Sequence, residues 1–210
     1  IPRYTNLDLG SIHKQRYTHS YRLPQDTVDT LYPHVFPLSV TTENTASRLE
    51  IPNAKTPLWN SVNAGSSLVM HHIQNTTAVM ARAEWIAKSI TALLEQQTIV
   101  HDTRMHGRLI PAKIGVICTD HTQVLLMEKA LGDLAREIYI DVHVQQHSLE
   151  RALVFAFHPL SSLQHPSSYH WDPSLLSLLL TRHRVACVLV AQQLCFSRPW
   201  HARGLYKEHS

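Results

Sequence analysis

From about residue 67 onward, short apolar runs rich in β-branched residues alternate with stretches of helical periodicity, and this alternation limits the chain more than any other feature. A run apolar at every position, such as Ala152-Leu153-Val154-Phe155-Ala156-Phe157 or Val185-Ala186-Cys187-Val188-Leu189-Val190, leaves no side for water and belongs in a sheet covered on both faces. Covering both faces requires crossover helices. Val79, Ala83, Ile86, Ala87, Ile90, Leu93 and Leu94 supply one, behind the cap cluster Asn75-Thr76-Thr77. The pattern predicts strands over 67–73, 113–118, 138–142, 152–157 and 185–191. It predicts helices over 79–97, from a cap at Thr119 or Asp120 through Leu134, and over 173–181, where Pro173 suits a first turn. The expected fold class is α/β, three layers around a mostly parallel sheet.

Residues 1–66 have a different texture. Prolines stand at positions 2, 24, 33, 37, 52 and 57 with little sustained periodicity, so loops are expected with one short helix near Asp26 to Tyr32. We divide the chain into an irregular N-terminal segment (1–66), an α/β domain (67–195) and a polar C-terminal tail (196–210). The formal charge of +3 permits a polyanionic partner without requiring one. Cys118, Cys187 and Cys195 lack metal-type spacing, and the first two lie in strand-like runs, which fits a reducing, cytoplasmic compartment. No stretch is long and apolar enough to span a bilayer, and the start, Ile1-Pro2-Arg3-Tyr4, has no signal-peptide layout and no initiating methionine, as expected of a piece of something longer.

In open α/β sheets ligands sit outside the carboxyl ends of the strands, which draws attention to Thr119-Asp120-His121-Thr122-Gln123, His147-Ser148-Leu149-Glu150 and His158-Pro159-Leu160-Ser161. A second focus is Leu180-Thr181-Arg182-His183-Arg184, two guanidiniums between a helix end and a buried strand. Arginine is always charged and offers five donors in a planar fork, which suits charge building on phosphate oxygens. It equally suits the negative end of a helix, and Arg184 is read as such a helix-end charge.

Taken together these segments resemble the second RecA-like domain of superfamily 1 helicases and related nucleic-acid-dependent ATPases, over residues 18 to 192. Ser20-Tyr21-Arg22-Leu23-Pro24 is similar to motif IV, followed by Thr27-Val28, Leu31-Tyr32-Pro33 and Phe36-Pro37. Ile114 to Thr119 with Gln123 looks like the family's strand, turn and helix. His147-Ser148-Leu149-Glu150 occupies the place of motif V, and Leu180 to Arg184 looks like motif VI. The resemblance implies a RecA-like domain of P-loop NTPase type that supplies Arg22 and Arg182 as arginine fingers to ATP and Mg2+ held by an upstream P-loop domain. It implies Tyr21 near the base, Glu150 near the ribose or the coupling region, and Thr119, His121, Gln123, His147 and Ser148 along a single nucleic-acid strand. Motif V departs from the family pattern, with His147 for the usual glutamine or lysine and Ser148 for glycine, where a side chain obstructs close backbone approach.

The sequence contains no Gly-x-x-x-x-Gly-Lys-Ser/Thr loop, so half of such an ATP site is missing and no cofactor is expected tightly bound to this chain alone. Its sixteen histidines show no metal-site spacing with acids or thiols, and no Gly-x-Ser-x-Gly elbow marks a hydrolase, so no metal ligand is assigned. Two other readings stay open: a regulatory or protein-interaction module that keeps the architecture without the motor, and a stand-alone doubly wound domain binding a small ligand or acting as a nuclease.

Overall fold

The structure, a computed structural model, describes residues 19–35, 40–73, 79–142, 150–158 and 173–192. In chain order its elements are β1 (His19–Ser20), α1 (Gln25–Val35), β2 (Thr41–Thr42), β3 (Arg48–Glu50), α2 (Pro57–Asn63), β4 (Leu68–Ile73), α3 (Val79–Glu95), β5 (Ile99–His101), β6 (Gly107–Arg108), β7 (Ile114–Cys118), α4 (His121–Leu131), β8 (Tyr139–Val142), β9 (Arg151–Phe157), α5 (Pro173–Leu180) and β10 (His183–Gln192). Five strands form one sheet in the order β4-β10-β9-β7-β8, every neighbouring pair parallel.

The period of two along the central strands sorts their side chains into two cores. Leu153, Phe155 and Phe157 of β9 and Ala186, Val188 and Val190 of β10 face Ile86, Ile90 and Met127 of α3 and α4. Val154, Ala156, Cys187 and Leu189 face Leu31 of α1 and Leu179 and Leu180 of α5. Helices therefore cover both faces, giving the three-layer α/β architecture expected of a RecA-like domain. Asp120 is the cap of α4, its Oδ1 accepting from Gln123 N at 2.9 Å. Cys118 and Cys187 are buried free thiols; burial pushes Cys187 up to about 12 and raises Cys118 as well, which leaves both in the unreactive protonated form.

The N-terminal segment holds more regular structure than expected. Besides α1 it contains α2, capped by Thr56 with Pro57 at its first turn, and β3, which pairs antiparallel with β5, itself paired with β6. The Thr-Pro signature of α2 was visible in the sequence. The β3–β5 pairing was not, because its strands are three residues long and lie about fifty positions apart, Leu49 opposite Val100. Leu49, Ile51 and Val62 join the same core as Phe155.

The last strand begins at His183, two residues before the expected Val185, because two polar side chains find partners inside. His183 Nε2 lies 2.7 Å from Thr27 Oγ1 of α1, which also meets Ser67 Oγ at 2.7 Å. Burial, and then the nearby charge of Arg22, lowers the His183 pKa to about 3. Between that value and the ordinary 6.5 the unfolded chain takes up a proton that the native state refuses, so stability falls as pH drops through this window. The loss expected from His183 is about 2 kcal/mol between pH 7 and 5. His71, lowered to about 4 by burial and the charge of His72, acts in the same direction. Urea unfolding of the wild type and of His183→Gln at both pH values checks this; an equally steep pH dependence in the variant refutes it.

Candidate functional site

The chain segment carrying Tyr21 and Arg22 is a turn folded on its own hydroxyl. Ser20 Oγ accepts from Arg22 N (3.3 Å) and Leu23 N (3.1 Å), the local bond that serine offers a backbone leaving a strand. Thr42 Oγ1 of β2 faces the carbonyls of Ser20 (2.9 Å) and Leu23 (2.7 Å). Asn44 then ties the turn to the sheet, its Nδ2 donating to Arg22 O at 2.5 Å and to Arg184 O at 2.8 Å. Arg22 is thereby fixed relative to the start of β10, some 160 residues away in sequence.

Arg184 is not a helix-end charge. It lies in β10, fully buried, with Nε donating to Asp102 Oδ1 at 2.9 Å and Nη1 to Glu150 Oε1 at 2.5 Å. The β9–β10 register is irregular between His183 and Ala186, the sort of break that re-aims a side chain. Burial alone would push Arg184 down and Asp102 up. Two carboxylates outweigh it for Arg184, whose pKa is raised, and for Asp102 the donors Arg184, Arg104 N, Ser47 Oγ and Met105 N outweigh it and hold the carboxylate below its usual range. Asn44, Asp102 and Arg184 were missed as site residues, because nothing local marks an arginine whose partners lie 82 and 34 positions away.

Arg182 stands between α5 and β10, half-buried. Its Nε donates to Leu178 O at 3.1 Å and Nη2 to Thr181 Oγ1 at 3.1 Å, so it does serve the carboxyl end of α5. Its pKa is lowered by burial and then by the charge of Arg22, so the two predicted arginines lie within electrostatic reach of each other. Like charges held together in a partly dry setting repel, and an arriving anion relieves that repulsion.

Tyr21, Arg22 and Glu150 line one cleft of about 380 Å³ together with His19, Ser20, Leu23, Val40, Arg104 and Arg184. Tyr21 is 62% exposed, its ring edge-on to His19 with centroids 4.7 Å apart. Glu150 precedes β9 and Arg182 precedes β10, so this cleft lies at the amino edge of the parallel sheet. Thr119, His121 and Gln123 follow β7 and stand at the opposite, carboxyl edge. There the buried Gln123 closes a turn, its Oε1 accepting from Thr119 N at 2.9 Å and its Nε2 donating to Thr119 Oγ1 at 2.8 Å, while His121 is exposed. The structure thus brings Tyr21, Arg22 and Glu150 into one cleft, with Arg182 within electrostatic reach of Arg22, and leaves Thr119, His121 and Gln123 apart from them. His147 and Ser148 lie outside the described residues.

Among the described residues, no group of three or more His, Cys, Asp or Glu is placed to hold a metal ion, and no helix is long and apolar enough to cross a membrane.

No family model matches the chain, and no curated protein matches it. Among solved structures it is similar to the C-terminal domain of a possible DNA helicase from Lactobacillus plantarum WCFS1, with a TM-score of 0.43 and 16% identity, covering 82% of this chain and 88% of that one.

Proposed function

We propose that this domain is the C-terminal motor half of a superfamily 1 type helicase or nucleic-acid-dependent ATPase, presenting Arg22 and Arg182 to ATP bound by a P-loop domain that this sequence does not contain. The observation that carries the reading is that Arg22 lines one cleft with Tyr21 and Glu150 while Arg182, 160 positions away in sequence, lies within reach of the charge of Arg22. Closure of two such domains on ATP brings the arginines to the γ-phosphate, where charge grows in the transition state, and Mg2+ bound with the nucleotide shields the remaining phosphates. Glu150, neutralised by Arg184, is positioned to accept from a ribose hydroxyl, and the exposed Tyr21 ring offers a face for a base. Opening after hydrolysis lets the pair of domains advance along a single strand held through its phosphates. Thr119, His121, Gln123, His147 and Ser148 are proposed to contact that strand, with Gln123 acting through the turn it closes.

A second reading has its own support. Arg182 satisfies the last turn of α5, which a regulatory or protein-interaction module also needs. The two readings differ in turnover. This chain alone is expected to hydrolyse no ATP above background; joined to a P-loop domain, it should support hydrolysis that Arg22→Gln reduces by at least ~100-fold with ATP binding retained. Robust turnover by the isolated chain, or an unaffected Arg22→Gln, defeats the motor reading.

A further inference from the structure

We infer that Arg104 is a polyphosphate contact of the amino-edge cleft, a third guanidinium held there by a preformed turn; this rests on the reading of the cleft as a nucleotide seat. Arg104 is exposed and lines the cleft with Arg22 and Tyr21. Its side chain makes no hydrogen bond or ion pair among the described residues, although its backbone is firmly held.

The turn is anchored from both ends. Asp102 Oδ1 accepts from Arg104 N and Met105 N, each at 2.9 Å, and Arg184 Nε grips the same oxygen. Lys113 Nζ spans the other side, donating to the carbonyls of Met105 (2.9 Å), His106 (3.2 Å) and Arg108 (3.0 Å). A lysine given wholly to three carbonyls and a buried aspartate given to two amides make a rigid base for a cation whose side chain has no hydrogen bond or ion pair among the described residues. Rigid presentation lowers the ordering cost of binding, and so adds affinity without a new contact.

The charge balance points the same way. Arg22, Arg104 and Arg184 line the cleft with one carboxylate, Glu150, which is bound to Arg184 as Asp102 is. Three arginines and one carboxylate thus line a cleft of about 380 Å³, within the range of small-molecule sites. A chain of phosphates fits both the charge and the space.

The test is calorimetric titration of the 210-residue chain with tripolyphosphate. One binding event is expected, weakened at least about tenfold in Arg104→Gln and partly restored in Arg104→Lys. Arg104→Gln should keep the wild-type unfolding midpoint, because the side chain it removes has no polar partner among the described residues. Arg136→Gln, an exposed arginine on the 3-10 turn after α4, is the control for diffuse charge and should bind as the wild type does. Wild-type affinity in Arg104→Gln, an equal loss in Arg136→Gln, or no tripolyphosphate binding at all overturns the assignment of Arg104. So does Arg104-dependent binding of oligothymidylate in place of tripolyphosphate, which would give the cleft to a nucleic-acid strand. These outcomes leave the effect of Arg22→Gln on ATP turnover untouched, so the failure of Arg104 and the failure of the motor reading are separable.

Discussion

Arg182→Ala, in a protein that joins this domain to a P-loop partner, is expected to lower ATP turnover by ~1,000-fold or more while changing ATP affinity only a few-fold. The asymmetry follows from when the charge is needed. The γ-phosphate oxygens gain most from a guanidinium as the bond to the leaving group breaks, so the interaction contributes to the barrier more than to the ground state. Arg182 is suited to this because Leu178 O and Thr181 Oγ1 fix the orientation of its fork while burial keeps water from screening it fully. The fold should tolerate the change: removing a helix-end cation costs about 1 kcal/mol or less, and relief of its repulsion with Arg22 offsets part of that. Arg182→Lys should recover only a fraction of the rate, since a point charge cannot donate twice to neighbouring oxygens. Single-turnover ATPase assays alongside thermal unfolding decide the matter. Undiminished turnover with a lowered midpoint would assign Arg182 to helix capping alone and favour the regulatory module.

Arg184→Ala should destabilise the folded domain by about 3–5 kcal/mol, because it strands Asp102 without its cationic partner in a site from which water is excluded. The same change frees Glu150 and slackens the Asp102 turn, so tripolyphosphate binding should weaken along with stability. A double-mutant cycle separates the pair from its surroundings: Asp102→Asn keeps an acceptor for Arg104 N and Met105 N, and in that background Arg184→Ala should cost far less than it does alone. Urea unfolding supplies the numbers. A loss below about 1 kcal/mol for Arg184→Ala would mean the charge ladder does not organise the edge.

Much of the scaffold could be read in advance, for a simple physical reason. A strand buried on both faces must be apolar at successive positions, and its crossover helix must repeat every three to four residues, so 114–118, 139–142, 151–157 and the helix at 79–95 announce themselves locally. The site was legible in part. Tyr21, Arg22, Glu150 and Arg182 were singled out from motif resemblance, and three of them line the cleft while Arg182 lies within electrostatic reach of Arg22. The two edges of the sheet carry different candidates. The rule that ligands gather at carboxyl ends pointed to Thr119 and Gln123, which close a turn of their own, whereas the cleft opens where β9 and β10 begin.

Periodicity and composition alone settled the three-layer α/β class, the central strands and the helices that cover them, because burial of apolar surface acts through neighbours only a few positions apart. The tertiary structure alone decided that Asn44 would join Arg22 to Arg184, that Asp102 and Glu150 would share one guanidinium, and that Arg104 would be held out over the cleft. Charged and polar side chains take their meaning from whichever partner folding brings within about 3 Å, and here those partners come from 22 to 140 positions away, a separation that leaves no trace in local pattern.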